Sequence, residues 1–310
     1  MTALARREAA PCWPGQGVMV EGSPKIAVFN EDAFEWLAAA PASSVHAVVT
    51  DPPYAVKEYD ADQLAKRASG KGGVWRIPPA IGGSVRSPLP RFTALTRRDL
   101  ARLSSFFARF GSLLLRVLRP GGHAFVASNA TLSVPVFSAL AACGLEFRGE
   151  VVRLVRTLRG GNRPKNAHEL YPGVCSTPRG GYEPWGIFRK PLGESTLEKN
   201  LRRWGTGGLR RDENDLPFVD VIPSAPASRR ERAIAPHPSI KPQSFLRCIV
   251  RASLPLGDGV VLDPFMGSGS TLAAARVVGY ESIGIERDER FFTMAQKAIP
   301  ALASTEVKKA

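Results

Sequence analysis

The chain alternates short apolar runs with helical patterns, and this alternation restricts it to an open sheet of mainly parallel strands. The runs are Ile26–Phe29, Val45–Thr50, His123–Ser128, Gly259–Asp263 and Ser282–Glu286. Short runs of this kind suit strands buried on both faces. Between them the pattern predicts helices over 33–40, 99–118, 131–143, 239–253, 268–278 and 289–298. Asn30-Glu31-Asp32 offers a cap for the first helix, and Arg119-Pro120-Gly121-Gly122 a stop for the second. Strands alternating with helices imply an α/β fold with a doubly wound, mostly parallel sheet. A strand over 147–158 is expected at its edge.

The pattern lapses in four places. Residues 1–24 read as a loose leader and 301–310 as a tail. Residues 57–98, rich in Gly, Pro and basic side chains, read as a long mobile loop. Residues 159–235 contain RGGNRPKN, RRWGTGGLRR and ASRRER and read as an inserted, irregular lobe. The ordered parts are then 25–158 and 236–300. The whole chain carries 42 Lys and Arg against 28 Asp and Glu, a net +14. Such an excess captures polyanions, and nucleic acid is the expected partner. Arg202-Arg203 and Arg210-Arg211 are the candidate phosphate contacts if the lobe binds it. Of four cysteines none forms a CxxC pair, so neither a zinc site nor a disulfide framework is expected, and no metal site. Scattered thiols and the absence of a long apolar run lead to a cytoplasmic expectation, with no membrane partner.

Two motifs sit where strands end. Val261-Leu-Asp263-Pro-Phe265-Met-Gly267-Ser-Gly269-Ser270-Thr271 joins a strand to a helix. Its glycines allow a tight turn and close approach of a ligand, which meets the free N–H groups of the helix start. Glu286 closes the next strand, where a carboxylate can accept from both ribose hydroxyls of a nucleoside. A dinucleotide site calls for a third glycine at 272, where this chain has Leu272. A P-loop calls for Gly-Lys-Ser/Thr, which is absent. A bare structural turn is the competing reading, and the acid after the next strand weighs against it.

The second motif, Asp51-Pro52-Pro53-Tyr54, follows the run 45–50 directly. Two prolines hold the segment extended and display one carboxylate, one carbonyl and one ring. That set suits an exocyclic base amine, whose lone pair is delocalised into its ring. The Asp51 carboxylate and Pro52 carbonyl can take the two amino hydrogens and return the lone pair to nitrogen, which then attacks a methyl carbon. Tyr54 can stack on a base turned out of the duplex.

With both motifs present, the chain resembles the DNA amino-methyltransferase family. DPPY matches the family's catalytic motif and DPFMGSGS its cofactor motif. Their order, catalytic motif first, resembles the circularly permuted β group, whose fold is Rossmann-like. The resemblance covers about 26–158 and 236–298 and implies S-adenosylmethionine as cofactor and double-stranded DNA as partner. It implies cofactor contacts at Asp32, Lys241 (in His237-Pro-Ser-Ile-Lys241-Pro242), Asp263, Phe265, Gly267, Gly269, Ser270, Thr271 and Glu286. It also implies that 159–235 is the target-recognition region. A homodimer partner and a cognate restriction endonuclease are further expectations that it raises. An Asp opening the tetrapeptide is typical of the family's adenine enzymes, so N6 of adenine is the expected target. Cytosine N4, RNA, and a DNA-binding regulator on an inactive methyltransferase fold are the alternatives. The intact Asp51 and glycine turn weigh against the last.

Overall fold

A computed structural model describes residues 12–54, 80–81, 84–85, 95–155, 164, 167 and 169–307. In chain order its strands are β1 (Val18–Val20), β2 (Ile26–Phe29), β3 (Val45–Thr50), β4 (Ala80–Ile81), β5 (Ser84–Val85) and β6 (Leu118–Ala127). They continue with β7 (Glu146–Leu154), β8 (Tyr182–Arg189), β9 (Val221–Pro223), β10 (Val260–Asp263) and β11 (Glu281–Ile285). The helices are α1 (Ala33–Ala39), α2 (Arg97–Val117), α3 (Ser133–Ala142), α4 (Leu197–Trp204), α5 (Arg229–Ile234), α6 (Gln243–Ser253), α7 (Ser270–Val278) and α8 (Glu289–Ala303).

Among the described residues nine strands form one sheet in the order β1-β2-β11-β10-β3-β6-β8-β7-β9, while β4 and β5 pair separately. The five strands from β2 to β6 are mutually parallel. Both faces are covered, and the strands show it residue by residue. Val48, Ala124 and Val126 enter an apolar cluster with Phe34, Trp36 and Leu37 of α1 and Phe107, Phe110 and Leu114 of α2. Their neighbours Ala47, Val49, Phe125 and Ala127 enter the opposite cluster, with Phe245 and Ile249 of α6 and Ala274 of α7. This is the period-two alternation of a pleated strand. Each fully buried Phe or Leu contributes roughly 2 kcal/mol through area removed from water.

Local signals explain the element ends. Asp32 caps α1, its Oδ1 accepting from Phe34 N at 2.9 Å and Glu35 N at 3.3 Å. Thr96 caps α2 in a capping box with Asp99, so the helix starts two residues before the expected position. Arg119-Pro120-Gly121-Gly122 does stop that helix, but as the first stretch of β6 instead of a loop. Pro is tolerated at such a strand start.

Other expectations need correction. Of the expected leader, residues 1–11 lie outside the described residues, and the remainder is built into the fold. Trp13 stacks on Trp36 with centroids 5.7 Å apart, and β1 adds an antiparallel strand to β2. The tail is helical to Ala303, and Thr305 is buried. The strand expected at the edge, β7, is interior, flanked by β8 and β9. Above all, 159–235 is not a separate lobe. Its β8 lies between β6 and β7 with Trp185 and Phe188 fully buried. Pro184 and Gly186 interrupt the strand pattern and hide it; the space a Gly186 side chain would take is filled by Phe188 and Phe137. The loop expected over 57–98 lies outside the described residues except for β4, β5 and the start of α2.

Candidate active site

The sheet reverses its winding between β10 and β3. From β10 the chain passes through α7 to β11 on one side; from β3 it passes through α2 to β6 on the other. A crevice must open at the carboxyl ends of two such strands. Asp51-Pro52-Pro53-Tyr54 leaves β3 there, and Pro264-Phe265-Met266-Gly267-Ser268-Gly269 leaves β10 beside it. One cleft with about 370 Å³ of open space is lined by Asp51, His237, Lys241, Asp263, Phe265, Gly267, Ser270 and Thr271, among others.

The glycine turn has the conformation its sequence implies. Gly267 and Gly269 have φ of 52° and 80°. A side chain on Gly267 would meet the His237 ring at 3.0 Å, and one on Gly269 would strike Ile299 of α8. Glu286 lies across from the turn. Its Oε2 accepts from Gly267 N at 3.1 Å and its Oε1 from Asp288 N at 2.8 Å. Asn30, just after β2, donates to the Glu286 carbonyl at 2.8 Å, which brings the Asp32 turn alongside. Ser270 and Thr271 are buried at the start of α7, and among the described residues the Ser270 hydroxyl has no hydrogen-bond partner. A buried polar atom beside the N–H groups of a helix start fits a small polar ligand. Phe265 packs among Phe34, Phe106 and Phe110 with centroids 5.3–6.4 Å apart, an aromatic wall next to the turn.

Asp263 differs from expectation. It is buried, and its Oδ1 accepts from Thr50 Oγ1 at 2.7 Å and Phe265 N at 3.1 Å. Burial raises its pKa to about 6 against the lowering effect of hydrogen bonds from Thr271, Thr50 and Phe265 N. Its carboxylate therefore ties the end of β3 to the glycine turn, and it serves the cleft as a brace between the two motifs. Lys241 also differs. Its ammonium pairs with Asp51 Oδ2 and lies 3.6 Å from Glu183 Oε1. Its charge is directed at the tetrapeptide rather than at the glycine turn. Tyr54 Oη donates to Asp51 Oδ1 at 3.3 Å, and Pro52 is buried.

Two residues at this site escaped the sequence reading. Glu183 on β8 accepts from Trp185 Nε1 at 3.0 Å and pairs with Arg153 of β7 at 3.0 Å. Arg153 is itself buried, donating also to Ser224 Oγ and the Ala225 carbonyl. A charged residue inside an apolar strand is a signal for such pairing, but it does not name its partner. His237 is a loop histidine, as its setting suggested. Burial lowers its pKa to about 4, so the ring is neutral at pH 7, and Nδ1 accepts from Ser239 N at 3.2 Å.

The four arginines expected to hold phosphate are not at the cleft. Strand β8 runs antiparallel to β6, so the chain after Arg189 emerges at the opposite, amino-terminal edge of the parallel strands. There Asn200 of α4 donates to the Pro120 carbonyl at the start of β6. Arg202 pairs with Glu198, Arg203 with Glu194 and Arg211 with Asp215, while Arg210 donates to Tyr280 Oη at 2.8 Å. Residues 190–220 hold six Lys or Arg and six Asp or Glu, so this edge carries no excess charge. Composition could not reveal this, because which edge a segment occupies depends on strand direction.

Among the described residues no helix is long and apolar enough to cross a membrane. The sequence profile of the DNA methylase family, for N6 and N4 enzymes, matches residues 45–297. The type II methyltransferase M.HindIII of Haemophilus influenzae is 23% identical over 294 residues, covering 86% of this chain and 93% of that protein. The type II methyltransferase M2.DpnII of Streptococcus pneumoniae is 32% identical over 105 residues, 34% of this chain and 39% of that protein. Among solved structures, the cytosine-N4-specific PvuII DNA methyltransferase shares the fold with a TM-score of 0.55 at 14% identity, covering 92% of this chain and 88% of that one. The complex of M1.HpyAVI with S-adenosylmethionine does so with a TM-score of 0.51 at 17% identity, covering 88% and 98%. The chain belongs to the DNA methylase family of N6 and N4 enzymes.

Proposed function

We propose that the chain methylates the exocyclic N6 of adenine in double-stranded DNA. The observation that carries this reading is the placing of Asp51 and the glycine turn in one cleft at the switch point of the sheet. S-adenosylmethionine, when bound, supplies an electrophilic methyl carbon on a sulfonium. Gly267, Gly269, Ser270 and Thr271 offer backbone and hydroxyl groups to its polar end, Glu286 a carboxylate to its ribose, and Phe265 an apolar wall. Asp51 and the Pro52 carbonyl accept the two amino hydrogens of the target base, which localises the nitrogen lone pair as positive charge develops there. With the cofactor bound, the N–C bond would form as the S–C bond breaks, leaving a neutral thioether, and the amine proton would pass by way of Asp51 to solvent. Tyr54 stacks on the extruded base.

Charge supports DNA approaching this edge. Strand β7 ends and β8 begins at this edge, and the sequence between them, 155–181, carries five Lys or Arg against one acid, four of the five lying outside the described residues. The segment 224–242 follows β9 to the same edge with four against one. We therefore assign target recognition to these two stretches of 159–235, and not to the neutral stretch on the far edge. The choice of adenine rests on Asp51 as the first residue of the tetrapeptide. Digestion of methylated DNA to nucleosides and mass spectrometry test it. N6-methyladenine is expected; N4-methylcytosine alone overturns the choice of base. Asp51→Ala tests the role of the carboxylate: turnover is lost while calorimetry still finds cofactor binding.

A further inference from the structure

Four charges of alternating sign run through the described part of the site: Arg153, Glu183, Lys241 and Asp51. They come from β7, β8, the loop before α6 and the loop after β3. The arrangement poses a chemical difficulty. A lysine ammonium on Asp51 Oδ2, with the Tyr54 hydroxyl on Oδ1, takes up lone-pair sites for which the target amine competes. It also sets a positive charge beside a nitrogen that becomes positive in the transition state. Both effects oppose the reaction, because the gain comes from stabilising charge that appears only there. The ammonium therefore has to leave Asp51 Oδ2 when the base enters, and in this low-dielectric setting it cannot be left without a partner.

Glu183 is placed to receive it. Its Oε1 already lies 3.6 Å from Lys241 Nζ, so a shift on the order of 1 Å brings the pair to ordinary hydrogen-bond length. Arg153 holds Glu183 Oε2 and Trp185 Nε1 holds its Oε1, at 3.0 Å each. We propose that Glu183 is a positioning residue of the reaction, drawing Lys241 from Asp51 as the target base takes its place. In the resting enzyme Lys241 holds Asp51 in position; with the base bound it rests on Glu183. The charges of Asp51 and Glu183 also outweigh the burial that would otherwise lower the Lys241 pKa, leaving it above the ordinary lysine value. Lys241 is thus held as an ammonium in the resting position.

This proposal builds on the role of Asp51 given above, and its test is separate. Total methyl transfer from labelled S-adenosylmethionine to DNA is measured, whichever base receives it, with Asp51→Ala as a control for the role of the carboxylate. Glu183→Gln keeps the shape but has a single acceptor oxygen, so it accepts from only one of Arg153 and Trp185, and it no longer attracts the ammonium. The expected result is a fall in kcat of about tenfold or more, with KM for DNA and cofactor affinity within about twofold of wild type. The decisive measurement is the double variant Glu183→Gln/Lys241→Met. Removing the lysine removes the obstacle, so the double variant turns over faster than Glu183→Gln alone. A purely structural role makes the double variant slower still, and that result, or a wild-type kcat for Glu183→Gln, overturns the proposal. Should Glu183→Gln fail to bind cofactor, Glu183→Asp replaces it: the charge stays but withdraws from Lys241. The same kcat loss and the same relief by Lys241→Met are expected, and their absence overturns the proposal equally.

Discussion

Asp263→Asn should make the protein more stable at alkaline pH, by an amount that grows with pH. The Asp263 carboxyl is buried, and its pKa is raised from 3.8 to about 6. A group with a raised acid pKa binds its proton more tightly folded than unfolded. Stability therefore falls as pH climbs from about 4 to about 6 and stays lowered above that window. Two units of difference correspond to about 3 kcal/mol at pH 8 and roughly half of that at pH 5. Asparagine keeps an oxygen for Thr50 Oγ1 and Phe265 N and turns its amide to the Thr271 hydroxyl, so the shape of the brace survives. The charge-assisted bonds of the ionised wild type are already contained in its pKa of about 6, so their loss adds no further pH dependence. The pH dependence of the difference isolates the buried charge: the advantage of Asp263→Asn over wild type should grow by about 1.5 kcal/mol between pH 5 and pH 8. Urea unfolding followed by circular dichroism at both pH values measures it. An advantage that stays constant across the two would show that Asp263 does not titrate in this window, and the reading of it as a strained brace would fail.

Gly269→Ala places a side chain at a φ of 80° and drives it into Ile299. Left-handed strain and overpacking together should cost about 2–4 kcal/mol, seen as a lower Tm with weakened cofactor binding; an unchanged melt and an unchanged Kd would refute the close approach of α8. DNA affinity should fall with salt at a log-log slope of about −0.9 per phosphate contacted, and anisotropy titrations that stay flat would mean the +14 charge serves another partner. The same titrations locate the interface: Arg202→Glu with Arg211→Glu should leave affinity within about threefold, because both lie on the neutral far edge, whereas a loss of tenfold or more would return DNA to that edge.

The chain's local patterns determined a good deal on their own. Buried strands announce themselves as short apolar runs, a cap as Asp32 beside a helix start, and tight turns as Gly267 and Gly269. These signals act over a few residues, so they survive in the sequence whatever the rest of the chain does. Both motifs could be set at strand ends for that reason, and the fold class with them. Tertiary structure alone decided the rest. The antiparallel entry of β8 between β6 and β7 sends 190–220 to the far edge and pairs its arginines with nearby acids, which changes the assignment of the DNA face. The contact of Lys241 with Asp51 joins residues 190 positions apart. A charge finds its partner through space, and Coulomb attraction leaves no period or spacing in the chain by which that partner could be read.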